Sequence, residues 1–133
     1  MIFIDTGAFI ARHLARDQHH RKATALWGKL ERSGLRCLTT ELVVSETATL
    51  LARWASPGFA VERVRALYQS EVLSIHRAEP SDDLAALDLM LKYQDQAIGF
   101  TDCVSFVLMQ KAGIHRAFTL DRRFRVAGFE PWA

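Results

Sequence analysis

The 133 residues, 50% hydrophobic and 24% charged, fit one domain over 1–133 with a continuous core, and they exclude a disordered chain. A net charge of +2, from 17 basic and 15 acidic residues, neither demands nor forbids a polyanionic partner, so any affinity for nucleic acid must come from where the charges sit. Cys37 and Cys103 lie far apart in apolar stretches, which excludes a disulfide framework and a cysteine-rich zinc site and suits reduced thiols in the cytoplasm. No signal peptide and no run of about 20 apolar residues is visible, so no membrane span is expected.

Taken in chain order, short apolar runs alternate with helical patterns. Ile2-Phe3-Ile4 reads as a buried strand, followed by a short helix from Gly7 to about His13. A second helix covers about Gln18 to Arg32, with Ala23, Leu26, Trp27 and Leu30 in one stripe and Gly34 as its stop. Cys37-Leu38-Thr39 is the second strand. Glu41 to Ala55 is a strong helix ended by the Ser56-Pro57-Gly58 turn, and another runs from about Val61 to Ser70. The strand Val72–His76 follows, then a helix opened by Pro80 and Ser81 and reaching about Tyr93. Asp102 to Ala112 is apolar on nearly every face, so it should lie centrally on the sheet, with Gly113 ending it. Ala117–Leu120 is a fourth strand, and Phe129–Trp132 forms a short edge strand. The pattern is that of an α/β fold: three layers, a mainly parallel central sheet of four to five strands, and helices on both faces.

Four carboxylates stand out against this frame. Asp5 and Asp121 each follow an apolar strand, and in open α/β sheets the ligand crevice lies outside the carboxyl ends of the strands. Either alone reads as a turn or cap residue. Glu46 is harder to explain as structure: its neighbours at i−4, i−3 and i+4 are Leu42, Val43 and Leu50, which puts a glutamate in the stripe expected to face the core. A buried lone carboxylate is costly, whereas an inward-facing one is what a metal needs. Asp102 falls in the first turn of the most apolar helix, where negative charge is favoured, and Thr101 offers an N-cap, which leaves a plain capping role open. Its weight comes from the company of the other three.

Four acids brought together would repel one another and hold protons at neutral pH, a conflict that a divalent cation removes. Oxygen-only ligation favours Mg2+ or Mn2+ over zinc. Such an ion activates water and bridges phosphate oxygens, so phosphodiester hydrolysis is the natural chemistry.

Four blocks then resemble the PIN-domain family and, within it, the VapC-like toxins of toxin–antitoxin pairs. They are Ile4-Asp5-Thr6, Val44-Ser45-Glu46-Thr47, Phe100-Thr101-Asp102-Cys103 with Ser105-Phe106, and Thr119-Leu120-Asp121 ahead of Arg122-Arg123-Phe124. They span essentially the whole chain in order, and the third, preceded by Tyr93 and Asp95, is the most specific. The resemblance implies an endoribonuclease with a doubly wound sheet and an acidic pocket for Mg2+ or Mn2+. It makes Asp5, Glu46 and Asp102 the core acids, Asp121 a more variable fourth, and Thr6 and Thr101 supporting groups. It also implies a homodimer and a cognate antitoxin whose C-terminal segment enters the pocket; neither follows from the residues themselves.

Arg122, Arg123 and Arg125 after the last acid, and Arg12, His13 and Arg16 after the first, are candidates for RNA phosphates at the crevice rim, set against an ordinary solvated surface. His19-His20 reads as a polar helix start, Asp82 and Asp83 as cap and dipole residues, and Asp95 as a candidate rim group. Trp27, Trp54 and Phe106 fall on apolar helix faces and are expected in the core or a dimer surface rather than as base-stacking platforms. A haloacid-dehalogenase-type phosphotransferase would want an acid where Gly7 stands, and a receiver domain would want an accepting Asp after Leu38, where Thr39 and Thr40 stand. The alternative from another class is a non-catalytic PIN-like module that binds RNA or protein. Intact acids argue against it, because an unused acid cluster only costs stability.

Overall fold

A computed structural model describes residues 1–133. In chain order it contains β1 (Ile2–Ile4), α1 (Thr6–His13), α2 (His20–Ser33), β2 (Cys37–Thr40), α3 (Glu41–Trp54), α4 (Pro57–Gln69), β3 (Leu73–His76), α5 (Pro80–Lys92), α6 (Phe100–Ala112), β4 (Arg116–Phe118), α7 (Arg123–Val126) and β5 (Glu130–Pro131). The five strands form one parallel sheet in the order β3-β2-β1-β4-β5. Parallel neighbours require crossovers, and right-handed crossovers fix which face each helix covers. The chain steps one way from β1 to β3 and the other way from β3 to β5, so α1–α4 and α5–α7 cover opposite faces. The strand order reverses between β1 and β4, which makes their carboxyl ends the topological switch point.

The core is continuous across the sheet. β1 is fully buried, and Phe106 of α6 packs on Phe124 and Phe129 with ring centroids 5.0 and 5.6 Å apart. On the other side Trp27 stacks against Phe9 and Phe118 and donates its indole N–H to the Ala8 carbonyl at 3.0 Å, which satisfies a polar group that burial would otherwise penalise. α6 is buried from Asp102 to Met109, as its all-round apolar sequence requires. Gly34 and Gly113 close α2 and α6 at φ +71° and +68°, a region that L side chains avoid.

The boundaries differ from the sequence expectation where local chemistry outweighs periodicity. α4 starts at Pro57, because the Ser56 hydroxyl caps the Phe59 N–H at 3.1 Å and Pro57 fills the first helical position. Ser56-Pro57-Gly58 therefore opens one helix as it closes another. β4 stops at Phe118, so Thr119 and Leu120 belong to a loop. No helix is long and apolar enough to cross a membrane.

Candidate active site

β1 delivers Asp5 to the switch point. The Asp5 N–H donates to the Phe118 carbonyl of β4 at 3.1 Å, and α1 begins at the next residue. The carboxylate makes no cap hydrogen bond to the helix, and Oδ2 instead accepts from the Thr119 hydroxyl at 3.0 Å. The capping explanation for Asp5 therefore fails, leaving a buried acid turned toward the loop after β4.

α3 leaves β2 without a break. Thr40 accepts from the Val43 N–H at 3.1 Å, and Thr39 donates to the Ile4 carbonyl at 2.8 Å, locking the helix start beside β1. Val43, Thr47 and Leu51, one i, i+4 line, are fully buried. The adjoining line, Leu42, Glu46 and Leu50, lies at the edge of the packing, and Glu46 is exposed rather than buried as its apolar neighbours suggested. The burial expected of Glu46 is corrected: the side chain faces the cleft, not the core.

α6 presents Asp102 from its first turn. Its N-cap is Gly99, not Thr101, because Asp102 Oδ2 reaches back to the Gly99 N–H at 3.4 Å and the helix starts at Phe100. Thr101 lies within the first turn, where its carbonyl accepts from Ser105 Oγ at 3.0 Å. It does not line the cavity, whereas Thr6 does. Asp121 sits three residues beyond β4 rather than directly after the strand, exposed, with Oδ1 accepting from the Arg123 N–H at 2.8 Å. The turn-capping role considered for it is thus present, beside whatever else the carboxylate does.

These four acids, from four separate segments, line one open cavity of about 300 Å³ together with Thr6 and Arg123. Burial, reinforced by the charges of Asp102 and Asp121, pushes the Asp5 carboxyl up to about 7, opposed by the nearby Thr6 backbone and by the Thr119 hydroxyl bonded to it. Burial also raises Asp102; the Arg123 guanidinium and the Gly99 N–H oppose this, while Asp121 and Glu46 add to it. Arg123 Nη1 stands 3.5 Å from Asp102 and 3.8 Å from Asp121, the one cation paired with these acids.

Two observations make the donor set fit a hard cation. The acids destabilise one another's charged forms, and the Thr6 hydroxyl is buried in the cavity wall without a partner. No three carboxylates form a tight ligating cluster. That arrangement suits Mg2+, which keeps several waters and binds through one or two carboxylates plus substrate phosphates.

Of the basic residues expected at the rim, Arg123 lines the cavity, while Arg122 and Arg125 are exposed outside its lining. Arg12 is elsewhere: it pairs with Glu31 at 2.6 Å, lies over Trp27, and lines a second cavity with His13. Asp95 does not reach the site, and Asp82 caps the Glu79 N–H and pairs with Lys111, as a cap residue should. Trp27 and Phe106 are core residues, but Trp54 is 44% exposed and lines the acidic cavity. The sequence reading also missed Gly7, Ile10, Asp17, His19, Leu50 and Leu120 as lining residues. For Leu50 and Trp54 a signal existed, since they stand four and eight positions after Glu46 on the same helix.

A PIN domain family model matches residues 2–130. The chain is 31% identical, over 97% of its length and 95% of theirs, to two sequences named 23S rRNA-specific endonuclease VapC20, from two strains of Mycobacterium tuberculosis. The crystal structure of Mycobacterium tuberculosis VapC20, described as a sarcin-ricin loop cleaving toxin, superposes with a TM-score of 0.89 at 29% identity, covering 97% of this chain and 96% of that one.

Proposed function

The chain belongs to the PIN-domain family, and from that premise we propose that it is an endoribonuclease hydrolysing RNA phosphodiester bonds with Mg2+ or Mn2+, as the toxin of a toxin–antitoxin pair. The observation that carries this reading is the meeting of Asp5, Glu46, Asp102 and Asp121 in one cavity at the switch point. Asp5, Glu46 and Asp102 would hold the ion, one or two of them directly and the rest through its bound waters, with Asp121 at the open side. When bound, the ion supplies charge neutralisation for the phosphate and lowers the pKa of water.

Each side chain has its own part. The Thr119 hydroxyl fixes the orientation of Asp5 Oδ2, and the free Thr6 hydroxyl donates to an oxygen in the site. Glu46, exposed at the cleft edge, would join the ion's ligand set from the side of α3. Arg123 holds Asp102 and offers a cation to the substrate phosphate, offsetting the acids' repulsion of RNA. The leaving group is the 3′-oxygen, so the products carry 5′-phosphate and 3′-hydroxyl ends and the 2′-hydroxyl takes no part. An antitoxin that blocks this cavity, a homodimeric state and action in the cytoplasm complete the proposal.

The test is incubation of the purified chain with RNA, beginning with 23S rRNA because it is the substrate named for the relative. Cleavage in Mg2+ or Mn2+, absent in EDTA and absent in a folded Asp102→Asn variant, supports the enzyme. RNA binding that persists in EDTA with no cleavage of any RNA would replace the enzyme with a binding module.

A further inference from the structure

The cavity that holds the acids has a second end of different chemistry. Leu42, Glu46, Leu50 and Trp54 follow one i, i+4 line along α3, so the row leads from Glu46 toward the C-terminal end of the helix. Eight residues at 1.5 Å each put Trp54 about 12 Å along the helix from Glu46. Phosphates in a stacked strand lie about 3.4 Å apart along its axis, so that distance is a few nucleotides. Ile10 of α1 joins Leu50 and Trp54 in the apolar part of the wall, and Asp17 and His19 of the α1–α2 connection line it as well.

Trp54 is the exception among the three tryptophans. Trp27 and Trp132 are 8% and 6% exposed, whereas Trp54 leaves 44% of its surface in solvent at the mouth of an acidic cleft. The α1–α2 connection is tied to it, because the Arg16 guanidinium donates to the Trp54 carbonyl. An exposed aromatic in the cavity wall, with an arginine held at its backbone carbonyl, is a combination that single-stranded nucleic acid uses: a ring for a base and a cation near it for the backbone. An apolar peptide would gain from the ring but not from the cation.

We infer that Trp54, flanked by Leu50 and Ile10, is a stacking platform for an unpaired RNA base a few nucleotides from the scissile bond, and that Arg16 contacts the adjoining backbone. The inference rests on the nuclease reading and deepens it by naming the substrate form. In a continuous duplex the bases are already stacked and cannot reach the ring, so the site selects RNA with a splayed nucleotide in a loop, bulge or end. Trp54 is a specificity residue rather than a member of the acid set.

The test uses the full chain carrying Asp102→Asn, so that binding is read without cleavage. A fluorescein-labelled single-stranded oligoribonucleotide and a blunt duplex of the same sequence are titrated in Mg2+. Adding Trp54→Ala is expected to weaken single-strand binding by about five- to a hundredfold, with Trp54→Phe restoring most of it and duplex binding unmoved. In the chain with Asp102 intact, Trp54→Ala raises KM and leaves kcat nearly unchanged. Unaltered single-strand binding in Trp54→Ala, equal loss on single strand and duplex, failure of Trp54→Phe to rescue, or no oligoribonucleotide binding at all would each overturn the inference. Failure of the nuclease reading looks different: the chain with Asp102 intact would cleave no RNA in Mg2+ or Mn2+, whatever stands at position 54.

Discussion

Replacing Asp5 with asparagine is expected to abolish cleavage and, in the absence of metal, to stabilise the protein above neutral pH. In the fold the Asp5 carboxyl is raised from 3.8 to about 7, chiefly by burial and then by Asp102 and Asp121. A group that holds its proton more tightly when folded contributes stability that is complete below about pH 4. That contribution falls as pH rises and is gone above about pH 7, where both states are ionised. At 1.36 kcal/mol per pKa unit the full span is about 4 kcal/mol, shared with the neighbouring acids that cause part of it. The asparagine side chain has no charge to lose, and its amide oxygen can still accept from the Thr119 hydroxyl. Urea unfolding of both proteins in EDTA at pH 5 and pH 8, followed by circular dichroism, reads the effect. The native sequence should lose about 1–2 M in midpoint between the two pH values and the variant much less, leaving the variant the more stable at pH 8. Mg2+ should restore the native sequence and leave the variant unmoved. A variant less stable than its parent at pH 8 in EDTA, or parallel pH dependences, would refute the electrostatic reasoning.

Two other substitutions probe different parts of the structure. Arg123→Gln removes the cation that opposes the rise of the Asp102 carboxyl, so the acidic limb of the cleavage pH profile should move to higher pH; a limb that stays in place or moves down contradicts this. Phe106→Ala removes a fully buried ring that contacts Tyr93, Phe124 and Phe129, and chemical denaturation should register a loss of about 3–5 kcal/mol.

Much of the site was legible because strand ends and helix starts are marked by local chemistry. Ile2-Phe3-Ile4 could only be a buried strand, and Asp5 after it had to emerge at the sheet's carboxyl edge. Asp102 was readable as an acid in the first turn of a buried helix, although the choice of Thr101 as cap ignored the reach of Asp102 back to Gly99. Glu46 shows where periodicity runs out. Hydrophobic neighbours locate a helix face only to within about one residue line, and here the buried line is Val43-Thr47-Leu51 while its neighbour opens on the cleft. Trp54, expected in the core or a dimer surface, stays out of the core and continues the line of Glu46 into the cavity wall. Arg12 was misplaced because sequence proximity to Asp5 says nothing of direction: α1 turns its guanidinium toward Glu31 and Trp27. Long-range order, such as the insertion of β4 beside β1, depends on crossovers that no local window contains.

That acids distant in sequence jointly bind one class of ion is tested by calorimetric titration of Mn2+ into the full chain at pH 7. Run in two buffers of different ionisation heat, the titration should show saturable binding with net release of part of a proton, because ligating carboxylates must be ionised. Asp5→Asn, Glu46→Gln and Asp102→Asn should each weaken that binding at least about tenfold. Affinity unchanged by all three substitutions, or binding without proton release, would contradict it.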